Sequence, residues 1–254
     1  MLPEPTVPND KVYIHEFIEI IKHNRANYMH HMTANWSPIG QEVRDQQCFG
    51  VWGTVGTTGR WPEVVNIWEE QGFAGLATSF RHELSHPSLQ DPDLAEWWAR
   101  AAQFREGGFD RVLVPAPWTH TIAGLCELGV TGSETYAHEL VSVEPGRAWD
   151  YLELVRQEAT PVHGEFGWEL IGAWVTSMRN DSEAVLLWAI PEWEQWGALE
   201  QAQASHAGLK TWRTRASTIA SDWQRILLVD AALSPLRTGR QPRVEDRDSY
   251  TLPD

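Results

Sequence analysis

The chain has 254 residues and a net charge of −15, with 42% hydrophobic and 22% charged residues. This is a globular composition with room for one large or two small domains, and the acidic balance excludes the basic face that nucleic acids or anionic membrane surfaces require. Two widely separated cysteines exclude a disulfide framework, no apolar run is long enough to span a bilayer and MLPEPTVPND does not read as a signal peptide, so a soluble, cytoplasmic protein is expected.

In chain order, residues 1–10 carry three prolines and read as a loose arm. Residues 12–20 are β-branched and aromatic, a strand with Tyr13, His15 and Phe17 on one face and Ile14, Glu16 and Ile18 on the other. A helix is predicted over 25–36, carrying the apolar stripe Tyr28, Met29, Met32 and Trp36, and continuing to 44. Strands follow at 48–55 and 64–68, separated by a Gly-Thr-Thr-Gly turn, then helices at 72–81 and 94–105 and a strand at 111–114.

The order then repeats. Tyr13-x-His15-Glu16 returns as Tyr136-x-His138-Glu139, 123 residues later, and Tyr28 and Pro38 return at the same offset as Tyr151 and Pro161. Gly50-Val51-Trp52 matches Gly172-Ala173-Trp174, Trp68 matches Trp188, and Arg111-Val112-Leu113 matches Arg225-Ile226-Leu227. Strands are expected at 136–143, 169–176, 184–190 and 225–230, and helices at 147–163 and 192–222. A period this long is a duplicated domain rather than a solenoid repeat. Two units are drawn, 11–117 and 135–232, with a linker at 118–134 and a polar, extended tail at 233–254.

Each unit reads β-α-β-β-α-β, the ferredoxin-like order, in which helices cover one sheet face. These strands are apolar on both faces, so the fold expected is α+β: two tandem ferredoxin-like units packed sheet to sheet as a pseudo-dimeric α/β barrel with a central cavity.

The layout resembles the dimeric α/β-barrel superfamily. Within it, YAHELVSVEPGR resembles the opening of NIPSNAP-type domains, a strand that starts with Tyr and ends in Pro-Gly before the first helix. The first unit departs from the pattern, with Lys22-His23 in that place. The resemblance implies a cavity that binds a small aromatic or polycyclic molecule. It allows a cofactor-free oxygenase, lyase or isomerase, a non-catalytic ligand-binding or assembly domain, or a haem protein.

The His-Glu pairs are the sharpest candidates for chemistry. Neighbours on a strand face opposite sides, so one member of each pair must face the cavity. The resemblance places a polar residue inward at Glu16 and Glu139, leaving His15 and His138 toward the helices. A desolvated glutamate can act as general acid or base; the alternative is a structural pair bonded to a tyrosine, an arginine or the backbone. Trp52, Trp68, Trp174 and Trp188, among 15 tryptophans, are candidates to stack on a flat ligand, with core packing as the alternative. His82-Glu83-Leu84-Ser85-His86 has the H-E-x-x-H spacing of zinc sites, though Pro87 abuts it, and a single histidine there could be a haem ligand. No cofactor is expected, with haem as the alternative. Exposed sheet edges would favour a homo-oligomer. No Gly-x-Ser-x-Gly, phosphate-loop or dinucleotide fingerprint is present.

Overall fold

The computed structural model describes residues 2–248. The first unit runs β1 (Val12–Ile20), α1 (Arg25–His30), a π turn (His31–Trp36), α2 (Ser37–Arg44), β2 (Gln47–Thr54), β3 (Glu63–Glu70), α3 (Gly72–Leu84), α4 (Ala95–Ala101) and β4 (Arg105–Pro115). The linker carries α5 (Ile122–Glu127). The second unit runs β5 (Thr135–Val143), α6 (Ala148–Leu154), a π turn (Val155–Ala159), α7 (Thr160–Gly164), β6 (Glu169–Ser177), β7 (Glu183–Ile190), α8 (Trp193–Ala202), α9 (Ala207–Ala216) and β8 (Ala220–Asp230), followed by α10 (Pro235–Thr238). The β4 and β8 strands begin six and five residues earlier than predicted, and the single helix expected over 192–222 is two.

Each half is an antiparallel sheet in the order β4-β1-β3-β2 or β8-β5-β7-β6, and the two join as a closed eight-stranded barrel through β2–β8 and β4–β6. The edges that could have invited further pairing are therefore hydrogen-bonded to each other. Helices cover the outside, and the duplicated barrel expected from the sequence is what forms.

One end of the barrel is plugged. Tyr13, Phe49, Trp52, Tyr136, Ile171 and Trp174 pack inside it, and Ile122, Leu125 and Leu236 from α5 and α10 close it. The terminal segments are thus docked rather than loose. Leu236 is fully buried, and Gln241 uses its side-chain amide as a strand partner for β2, donating to Cys48 O (2.8 Å) and accepting from Cys48 N (2.9 Å). Asn9 N donates to Pro117 O at 3.0 Å. Residues 249–254 of the expected tail lie outside the described residues.

The Gly-x-Trp repeat has a packing cause. Each tryptophan ring lies back over its glycine, so a Cβ on Gly50 would stand 2.1 Å from Trp52 Cη2, and one on Gly172 would stand 1.8 Å from Trp174 Cη2. Both strands carry a bulge just before the glycine, which turns Phe49 and Ile171 inward as well. Gly172→Ala is expected to destabilise the protein by about 3 kcal/mol, the upper end for an overpacked core. An unchanged denaturation midpoint would show that the ring contact has no such role.

Candidate functional site

The inward and outward faces are the reverse of the expectation for the His-Glu pairs. His15 and His138 point into the barrel, where β1 and β5 stand opposite each other, and their Nε2 atoms meet at 2.8 Å. Glu16 and Glu139 point outward, beneath the helices. The reason is the filling of the barrel: Tyr13 and Tyr136 share the histidines' strand face and belong to the interior plug. Trp52 and Trp174 are inside with them, while Trp68 and Trp188 lie outside, between sheet and helices.

The first unit leaves a lateral pocket of about 720 Å³ between its sheet and helices. Its aromatic wall is Trp36, Trp68, Trp97 and Trp98. Trp97 packs against Trp36 and Trp98 with both centroid distances at 4.8 Å. The indole N–H groups of Trp97 and Trp98 find no acceptor among the described residues, although both atoms are buried. The lip is apolar as well, with Phe80, Leu84 and Leu89 roughly half exposed.

Glu16 stands in the floor of this pocket. Its Oε2 accepts from Asn66 Nδ2 (2.8 Å) and Trp68 Nε1 (2.9 Å), and Asn66 in turn donates to Tyr28 OH at 2.9 Å. Protein surrounds the carboxyl, yet Glu16 keeps partial solvent contact through the pocket. Burial raises its pKa, and Asp110, its register partner on β4, pushes the same way. The two donors and Arg105 pull less strongly in the other direction. Asp110 also lines the pocket and is itself raised by burial. The arrangement sets a carboxyl of raised pKa beside a flat aromatic slot.

The second unit fills the equivalent place. Arg225 donates to Glu139 Oε1 through Nε (2.8 Å), with Nη2 at 2.7 Å, and Trp223 Nε1 donates to Oε2 at 3.1 Å. Burial alone would raise the Glu139 carboxyl, but Arg225, His163 and these hydrogen bonds together bring it below its ordinary value. His163 is stacked on Trp188 with centroids 4.5 Å apart, and burial, then the Arg225 charge, lowers it to about 4. Trp188 is therefore in a packed core rather than on a ligand wall.

The difference between the halves comes from one position. The sequence match sets Arg111 against Arg225, but the strand register does not. Glu16 pairs with Asp110 and Glu139 with Arg225, while His15 pairs with Arg111 and His138 with Ile226. A one-residue offset thus gives Glu16 an acidic neighbour, gives Glu139 a basic one, and turns Arg111 into the barrel. Asp110, Trp97 and Trp98 are not among the residues singled out from sequence, where Arg111 and Arg225 figure only as members of the repeat. The tandem Trp97-Trp98 in a short helix was the available signal.

The histidines at the end of α3 do not form a metal site. The helix stops at Leu84, so His86 does not share a helical face with His82. His82 Nε2 is bonded to Asp91 Oδ2 at 2.8 Å. No group of three or more His, Cys, Asp or Glu that could hold a metal occurs among the described residues. Nor do these residues fit a haem: no histidine lines the lateral pocket, and His82 is turned to Asp91 outside it. Both cysteines are free. No helix among the described residues is long and apolar enough to cross a membrane.

Fold and site define a pseudo-dimeric α/β barrel within one chain, with a sheet-to-helix pocket in its first unit. No protein-family model and no curated protein matches the chain. Solved structures do. A candidate monooxygenase from Lactobacillus acidophilus NCFM is 9% identical with a TM-score of 0.55, the alignment covering 93% of this chain and 97% of that one. An anthrone oxidase-like protein is 8% identical with a TM-score of 0.56, covering 90% and 94%. A NIPSNAP family protein from Agrobacterium tumefaciens strain C58 is 21% identical over 41% of this chain and 98% of its own, with a TM-score of 0.36. What the first two share with this chain is the fold.

Proposed function

We propose that the protein binds a flat aromatic or polycyclic molecule in the lateral pocket of its first unit and moves a proton on it without a cofactor, Glu16 acting as the general base or acid. The observation that carries this reading is Glu16 itself, a carboxyl with a raised pKa opening into a tryptophan-walled cavity. Residues of this kind in a cleft mark functional sites more often than chance would place them there. The slot supplies stacking faces, and the unmet indole N–H groups of Trp97 and Trp98 can hold a carbonyl or phenolic oxygen of the bound ring. A raised Glu16 takes a proton at an acidic C–H beside such a carbonyl, which is the first step of enolisation. The carboxyl then returns the proton to oxygen or carbon, so the reaction is an isomerisation with nothing consumed.

A second reading, a ligand-binding domain without catalysis, uses the same pocket and differs only in the role of Glu16. Anthrone, a tricyclic ketone whose acidic C–H lies across the central ring from the carbonyl and is conjugated to it through the fused rings, is a suitable probe for both. Titration of the full chain with anthrone is expected to give saturable binding, and Trp98→Ala to weaken it by about tenfold, since loss of one stacking face is worth ~1–3 kcal/mol. Trp98 lies at the half-exposed edge of the cluster, so the variant should remain folded. Equal affinity in the variant would remove the pocket from the account.

A further inference from the structure

The open end of the barrel is a second cavity, separate from the lateral pocket, of about 550 Å³. Phe17, Phe109, Leu140 and Ile226 form its apolar walls, and His138, Glu63 and the largely buried Arg111 are polar side chains in its lining.

The histidine pair has an unmet valence. Burial, with the nearby Arg111 charge adding to it, keeps both imidazoles neutral, His138 down to about 3 and His15 well below the usual range, where its partner His138 contributes as well. A neutral imidazole carries one N–H. The Nε2···Nε2 bond consumes one N–H and one lone pair, so one Nδ1 of the pair carries a hydrogen and the other is bare. Apart from the contact each ring makes with its own backbone, neither Nδ1 has a well-placed partner among the described residues, although His15 is 0% and His138 1% exposed. A buried donor left short of an acceptor is destabilising, and a bound acceptor would relieve it.

Arg111 is in the same condition. Its side chain is 9% exposed, with Nε on Glu183 Oε1 at 2.6 Å and Nη2 on Glu183 Oε2 at 3.3 Å. Its Nη1 finds no acceptor among the described residues. The two other arginines that reach the cavity already face carboxylates, Arg60 at Glu19 and Arg225 at Glu139. One guanidinium N–H and one imidazole N–H therefore remain unmet at a cavity whose lining mixes aromatic and apolar side chains with Thr58, Glu63 and Gln224. Glu183 answers the guanidinium charge, so what the site lacks is acceptors rather than anions, and the two oxygens of a monocarboxylate can meet both N–H groups with a single added charge.

We propose that the barrel mouth binds a small aromatic carboxylate, one oxygen accepting from Arg111 Nη1–H and the other from an Nδ1–H of the histidine pair, with the ring against Phe17 and Phe109. The histidine that accepts in the Nε2···Nε2 bond is the one that presents its Nδ1–H to the ligand, and the pair stays neutral.

Arg111 also borders the lateral pocket, so the test relies on residues unique to each cavity. Full-length protein with labelled histidines is titrated with sodium benzoate near neutral pH and followed by NMR, with benzamide as the uncharged control. The His15 and His138 ring signals are expected to shift saturably with benzoate, and benzamide to bind at least about tenfold more weakly, as the loss of a charge-assisted hydrogen bond predicts. Arg111→Gln should weaken benzoate by a similar factor. Ile226→Trp fills the mouth and leaves every polar group in place, so it should abolish the shift, whereas Trp98→Ala in the lateral pocket should leave it intact. The absence of a saturable shift up to about 10 mM benzoate, an equal response to benzamide, or an unaltered titration in Ile226→Trp would each overturn the proposal. If Arg111→Gln does not fold, the benzamide and Ile226→Trp comparisons decide it.

Discussion

Arg225→Met is expected to destabilise the protein by about 3–5 kcal/mol near neutral pH, the cost of removing one partner from a buried ion pair. Arg225 is 8% and Glu139 3% exposed at the side chain, so water cannot replace the lost partner. Burial, opposed only by Trp223 and His163, would then drive Glu139 to take up a proton. The deficit should therefore shrink as the pH is lowered toward 4.5, the ordinary glutamate value. The wild type behaves in the opposite sense: a carboxyl held below its ordinary pKa contributes stability that is present above 4.5 and is lost as pH falls through the folded value. Denaturation curves of both proteins across that range provide the check. A loss under about 1 kcal/mol at neutral pH would mean that the pair is no more than a surface contact. Adding Glu139→Leu to Arg225→Met should recover part of the loss, because no charge then remains to be buried.

Glu16→Gln should leave the fold intact and remove the chemistry. A carboxyl raised by burial contributes stability that is present below 4.5 and is lost as pH rises through the folded value, so the amide should be as stable as the wild type near neutrality, or more so. In D2O, hydrogen exchange at the acidic carbon of bound anthrone is expected to slow by about 10²–10⁴-fold in the variant, the usual contribution of a positioned general base. In the wild type the exchange rate should rise with pH through the raised Glu16 pKa, since only the ionised carboxylate removes the proton. Anthrone binding with exchange no faster than in free solution would select the non-catalytic reading. Full exchange activity in Glu16→Gln would take the role from this residue while leaving the pocket.

The two Tyr-x-His-Glu copies made the duplication, the strand order and the barrel legible before any coordinates. What they could not supply was direction. Both faces of β1 and β5 are covered, so the alternation that normally separates core from solvent carried no sign, and His15 and Glu16 were assigned to the wrong sides. Interior volume decided it: Tyr13 and Tyr136 join Trp52 and Trp174 in the barrel plug and take the histidines inward with them. The matching of Arg111 with Arg225 was misleading for a related reason. Arginine followed by two apolar residues fits both sequences, but hydrogen-bond register, which sequence similarity does not encode, moves the true equivalent of Arg225 to Asp110. The lateral pocket was hidden because Trp36, Trp68 and the Trp97-Trp98 pair lie on separate segments that only the helix packing of the first unit brings together. The prolines of residues 1–10 suggest a loose arm and the tail reads as polar and extended; Asn9 and Gln241 show that a few well-placed amides are enough to dock such segments.

The single-position difference between Asp110 and Arg225 has a consequence for how this chain could diverge. In a barrel assembled from two copies of one polypeptide, every substitution occurs twice. An arginine that locked one glutamate would lock its twin, and an acid that loosened one would loosen the other. With both halves encoded separately, one glutamate can be committed to rigidity while the other keeps a labile proton. Any reactivity lodged in the first unit is then supported by a second unit free to spend its polar groups on holding still.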